Sequence, residues 1–115
     1  METPKRIRER RRALRLDCEL PFRLGHEGYE AEVVSVNLSA TGAYFRVSQD
    51  IPMMSKLNIG LALPKQKSIL HIKGVVVRKE IDKNSGDFFI AVYFSEIKPL
   101  GRSKLKKFIQ SRAKS

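Results

Sequence analysis

The sequence predicts a mostly β fold: a single small antiparallel β-barrel of about six short strands, with a C-terminal amphipathic helix and a flexible basic N-terminal arm. Three observations predict it. Apolar residues in the body of the chain recur with a period of two, the spacing at which successive side chains leave opposite faces of a strand. Clusters of Gly, Asn, Ser and Asp separate these runs with no helix between them, so successive strands pair antiparallel. After Pro99 and Gly101 the period lengthens to that of a helix. A chain of 115 residues has room for one domain. At that size a single core closes without disulfides or a structural metal.

Residues 20–24 supply a strand, and Gly25-His26-Glu27-Gly28 reads as the turn after it. In residues 30–36, Val34 and Val36 share one face and Ala31, Val33 and Ser35 the other. Residues 43–47 form a short aromatic strand. The cleanest alternation spans residues 56–63, where Leu57, Ile59, Leu61 and Leu63 share a face. Residues 69–80 are long and β-branched, with Gly74 expected at a bulge or bend. Residues 83–87 then form a hairpin turn into residues 88–94, which set Phe88, Ile90, Val92 and Phe94 on one side. Leu105, Phe108, Ile109 and Ala113 fall at i, i+3, i+4 and i+8, the stripe of a helix over about residues 102–113 that covers the open end or one face of the barrel. The chain thus divides into an arm at 1–8 and a domain at 9–115, with the barrel over about 19–97.

Charge is distributed unevenly. Residues 1–16 carry a net +5, residues 98–115 a net +7 with no acid, and the body between them a net −1. A nucleic-acid-binding barrel would carry its cations and stacking aromatics on the body, where a strand can be tracked. The basic ends suit a compact anionic ligand, a polyanion, an anionic membrane surface or solubility alone.

Several kinds of chemistry lack their signatures. Cys18 is the only cysteine and reads as a small buried residue. His26 and His71 have no partner at metal-ligand spacing, so no metal site is expected. No phosphate loop, G-x-S-x-G elbow or H-E-x-x-H motif appears, and the reading is of a protein that is not an enzyme and carries no cofactor. There is no run of about 20 apolar residues and no signal-peptide core, which makes the cytoplasm the expected location.

Two patches carry information. In Arg10-Arg11-Arg12-Ala13-Leu14-Arg15, Arg11 and Arg15 are four apart and share a side whether the segment is helical or extended. A guanidinium can fork onto guanine O6 and N7, stack on a purine face and pair with phosphate. The second patch, Asn37-Leu38-Ser39-Ala40-Thr41-Gly42, ends one strand and opens the next. Its Asn and Ser offer guanine-compatible donors and acceptors, and Gly42 permits a positive φ or a close backbone approach. Taken singly, each patch is also an ordinary solvated arm or hairpin loop.

In this order and separation the two patches resemble the PilZ domain family, which pairs R-x-x-x-R, here Arg11 and Arg15, with [D/N]-x-S-x-x-G, here Asn37, Ser39 and Gly42. The resemblance extends over roughly residues 9–112. It implies a bacterial receptor for the second messenger cyclic diguanylate, c-di-GMP, that changes conformation on binding and signals to a protein partner. Arg11 and Arg15, with Arg10 as an accessory contact, would hold guanine edges and phosphates. Asn37 and Ser39 would face a guanine, and Gly42 would shape the loop. The family often has Asp at the position of Asn37, and the neutral amide forgoes a charge-assisted bond. Two alternatives stand beside this reading: a PilZ-like adaptor that does not bind nucleotide, and a small basic RNA- or DNA-binding barrel.

Overall fold

The computed structural model describes residues 15–114. Arg10, Arg11 and the arm at 1–8 lie outside the described residues. The elements are β1 (Arg15–Leu16), β2 (Pro21–His26), β3 (Tyr29–Ser39), β4 (Gly42–Val47), β5 (Lys56–Leu61), β6 (Leu70–Ile81), β7 (Phe88–Ile97) and α1 (Pro99–Lys114). Six strands close a ring in the order β2-β3-β4-β7-β6-β5 and back to β2, every pair antiparallel. Closure pairs every principal strand on both sides, which removes the exposed sheet edge that invites aggregation. The two-residue β1 adds to β3, with Arg15 opposite Ser39 and Leu16 opposite Leu38.

The alternation read in the sequence becomes an inside and an outside. Phe22 and Leu24 of β2, Leu57, Ile59 and Leu61 of β5, and Ile90, Val92 and Phe94 of β7 fill the interior. Phe22 and Phe45 meet edge to face there, with ring centroids 4.7 Å apart. On β3 it is Val33 and Ser35 that point inward, leaving Val34 and Val36 exposed.

Turn chemistry sets the register. His26 pairs with Tyr29, so Glu27 and Gly28 alone make the first hairpin loop. Both have positive φ, at 42° and 81°, as a primed turn needs to follow the strand twist. His26 therefore ends β2 and does not belong to the loop. At the β6–β7 hairpin, Gly86 takes the positive φ and Asp82 caps the loop through Asn84 N–H and Ser85 Oγ. The expected irregularity at Gly74 is present, because the β6–β7 register shifts between Lys73 and Gly74. A second shift, between Val76 and Arg78, has no glycine to announce it.

α1 begins at Pro99, earlier than the expected start near residue 102. Proline is accommodated in a first helical turn because that N–H has no partner to lose. The Lys98 carbonyl accepts from Arg102 N–H at 2.9 Å. Leu105 and Ile109 are fully buried, whereas Phe108 is half-buried at the margin of the core.

Candidate functional site

The last residue of the first patch, Arg15, meets the second patch because β1 pairs with β3. A chain entering the barrel at Arg15 runs antiparallel to the last residues of β3, which sets the backbone of Arg15 directly across from Ser39. A buried serine secures this entry. Ser35, 1% exposed, donates from Oγ to the Cys18 carbonyl at 2.8 Å and accepts from Leu20 N–H at 3.1 Å. Both partners lie in the link between β1 and β2, so Ser35 holds that link on the barrel wall. Nothing in the sequence distinguishes Ser35 from its neighbours except an inward place among apolar residues. Cys18 is half-buried in the same link, and burial pushes its thiol pKa up.

Asn37 follows a register shift in β3 between Ser35 and Asn37, so β3 bends where the motif begins. The shift sets Asn37 opposite Tyr44, half-buried. Ser39 is 6% exposed and its hydroxyl serves the loop itself. Its Oγ accepts from Thr41 N–H at 3.2 Å and lies 3.3 Å from both Thr41 Oγ1 and the Gly42 carbonyl. Gly42 does not adopt a positive φ. Its requirement is the other one: a β-carbon there would lie 2.4 Å from the Val92 carbonyl oxygen, a contact no side chain can make.

The outer face of β4, β7 and β6 continues from this loop. Gly42 pairs with Tyr93, and Asn37, Tyr44, Ala91 and Arg78 follow one another across four strands. Tyr93 is 52% exposed next to the bare backbone of Gly42. Tyr44 stacks on Phe89 with centroids 5.7 Å apart and planes within 8°, and donates its hydroxyl to Glu80 at 3.1 Å. Burial, then the bond to Glu80 and that carboxylate's charge, push the Tyr44 pKa up, against the opposing effect of Arg78. The Arg46 guanidinium also lies over the Phe89 ring, 5.3 Å from its centroid, and bonds Asp82 and Asp87 at 2.9 and 3.0 Å. The hairpin's backbone and Ser85 bonds to Asp82 lower its carboxyl pKa, with the Arg46 charge adding to them. This face offers planar aromatic surfaces, with the Tyr44 hydroxyl and the Arg46 guanidinium already engaged by carboxylates.

Among the described residues no group of three or more His, Cys, Asp or Glu is placed to hold a metal, and His26 Nδ1 instead lies 3.2 Å from the Lys56 carbonyl. Among them too, no helix is long and apolar enough to cross a membrane.

Three solved structures share the fold at low identity. The chain superposes on the Bacillus subtilis inhibitor of motility MotI/DgrA with a TM-score of 0.78 and 22% identity, covering 88% of this chain and 50% of that one. It thus spans about half the length of that protein. The PilZ domain of Escherichia coli YcgR, solved with c-di-GMP, matches with a TM-score of 0.67 and 16% identity over 91% of this chain and 92% of the other. The PilZ domain of CeSA from a cellulose-synthesizing bacterium matches with a TM-score of 0.64 and 13% identity, over 86% and 97% of the two chains. No curated protein matches the sequence. The model of the PilZ domain matches residues 9–111, nearly the whole chain, and the chain therefore belongs to the PilZ domain family.

Proposed function

We propose that this chain is a non-catalytic receptor for c-di-GMP, in which the arginines ahead of β1 and at its first residue close on a nucleotide held against the outer face of β3, β4 and β7. The observation that carries this reading is the pairing of Arg15 with Ser39. It joins the end of the R-x-x-x-R motif to the [D/N]-x-S-x-x-G loop, although the two are far apart in the chain. Membership of a family whose relative YcgR was solved with c-di-GMP supports the choice of ligand.

In the proposed complex Arg11 and Arg15 fork onto guanine edges or phosphates, with Arg10 in support. Asn37 presents its amide to a guanine, and Ser39 offers the hydroxyl that also shapes the loop. Gly42 shapes the loop by letting β4 pack against the Val92 carbonyl. Ordering of the arm by the ligand changes the surface presented to a protein partner, which is how a domain without chemistry of its own transmits a signal.

A calorimetric titration with c-di-GMP, with GTP and GMP as controls, tests the proposal. Saturable binding of c-di-GMP alone is expected. Arg11→Lys and Arg15→Lys conserve charge but lose the planar fork, and each should weaken binding by roughly tenfold to a hundredfold. Lys5→Ala and Lys114→Ala, which remove charge at positions outside both motifs in the sequence, should matter far less. Equal losses in all four variants would indicate general attraction to polyanions. An unmodified protein that gives no saturable heat would point to the adaptor role.

A further inference from the structure

We infer that the cleft between the 63–66 turn and α1 is a second anion site, separate from the motif face, that takes a compact polyphosphate group. The cleft has a volume of about 460 Å³, and Lys65, Lys104, Lys107 and Arg112 converge on it. No carboxylate is among its lining residues, and Pro64 and Phe108 give it an apolar wall. On α1 the three cations and Phe108 fall at positions 104, 107, 108 and 112, one face of the helix.

Two observations separate this cluster from an ordinary solvated helix face. The first is pairing. On the barrel Arg23 bonds Glu30 and Glu32, Arg46 bonds Asp82 and Asp87, and Lys79 bonds Asp50. The cleft's four cations take part in no ion pair among the described residues; the guanidinium of Arg112 lies instead over the Phe108 ring, 5.0 Å from its centroid. Cations near a helix C-terminus are favoured by the helix dipole, which accounts for Arg112 but not for a lysine brought from a separate loop.

The second observation is backbone strain. Gln66 N–H bonds the Leu63 carbonyl at 3.1 Å, closing a turn with Pro64 second and Lys65 third. Lys65 has φ 67°, the left-handed conformation that this position normally assigns to Gly or Asn. A residue with a β-carbon is strained there, and such outliers gather at ligand sites. Here the strain sets a fourth cation against three that already repel one another. A polyanion with several closely spaced charges neutralises all four at once, which no single carboxylate does.

Titration with inorganic tripolyphosphate tests the site, with sulfate at matched ionic strength as the control and melting curves confirming that each variant is folded. Lys65→Asn removes the charge while keeping a residue that tolerates the positive φ. Lys107→Gln removes an exposed charge from the helix. Saturable one-to-one binding is expected, weakened about tenfold by either substitution. It should be little changed by Lys83→Gln, an equal loss of charge in the distant β6–β7 hairpin. Non-saturable binding, binding equally satisfied by sulfate, or an equal loss in Lys83→Gln would overturn the proposal. So would a parallel loss of c-di-GMP affinity in Lys65→Asn and Lys107→Gln, because the cleft would then belong to the dinucleotide site. An unmodified protein that binds tripolyphosphate but not c-di-GMP would support the cleft while removing the receptor reading.

Discussion

Gly42 packs so closely on Val92 that a β-carbon would sit 2.4 Å from its carbonyl oxygen. The carbonyl belongs to a β7 backbone that pairs with β4 along the whole of β4, so neither strand can shift alone. Gly42→Ala should cost about 1 to 3 kcal/mol of stability, as other overpacked positions do, and should disturb the motif loop. Thermal melting and the amide shifts of Ser39 and Tyr93 check this. An alanine variant with unchanged stability would mean that the strands separate more easily than their pairing implies.

Ser35 should matter more than a lone buried serine suggests. Ser35→Ala removes the hydroxyl's bonds to the Cys18 carbonyl and the Leu20 N–H, leaving only the backbone bond from Ser35 N–H to the Leu20 carbonyl. A loss of about 1 to 3 kcal/mol is expected. Hydrogen exchange should quicken at Leu16 and Leu20 before it changes in β5 or β6.

Asn37→Asp should tighten c-di-GMP binding by about tenfold if the amide faces a guanine, because a carboxylate accepts from guanine N–H groups with charge assistance. Asn37 is half-buried and outward, so the melting temperature should hardly move. Calorimetry of the two proteins side by side decides the point.

The raised pKa of Tyr44 predicts an alkaline dependence of stability. Its proton is held more tightly in the folded state than in the unfolded one. The resulting stabilisation is complete below the unfolded value near 10 and is lost as pH rises through the higher folded value. Tyr44→Phe should therefore flatten the alkaline limb of the stability profile. Ultraviolet titration of phenolate should show a component raised above the ordinary tyrosine value, which disappears in the variant.

On α1 the anchors are Leu105 and Ile109. Leu105→Ala should cost about 2 to 5 kcal/mol, the range for a fully buried leucine. Phe108→Ala should cost less, since the ring is only half-buried against the core and also borders the cationic cleft. Chemical denaturation of both variants ranks them.

The strand runs, the turns, the helix and the family motifs were legible because each is written in local spacing. Leu57, Ile59, Leu61 and Leu63 announce an inward face by a period of two, and all four are buried. Leu105 and Ile109 announce theirs at i and i+4. Phe108 shares that spacing but is only half-buried, because its ring borders the cleft as well as the core. Pairing across the chain left no such trace. The register of β1 on β3, which brings Arg15 to Ser39, depends on long-range hydrogen bonds and on the inward turn of Ser35. The need for glycine at position 42 was visible in the sequence, but whether it served a positive φ or a close approach was settled by how near β7 lies. The sequence by itself determined which residues alternate, where the chain turns and which motif residues it carries. Only the tertiary structure decided which of them meet, because register and strand closure are properties of paired backbones and not of any one segment.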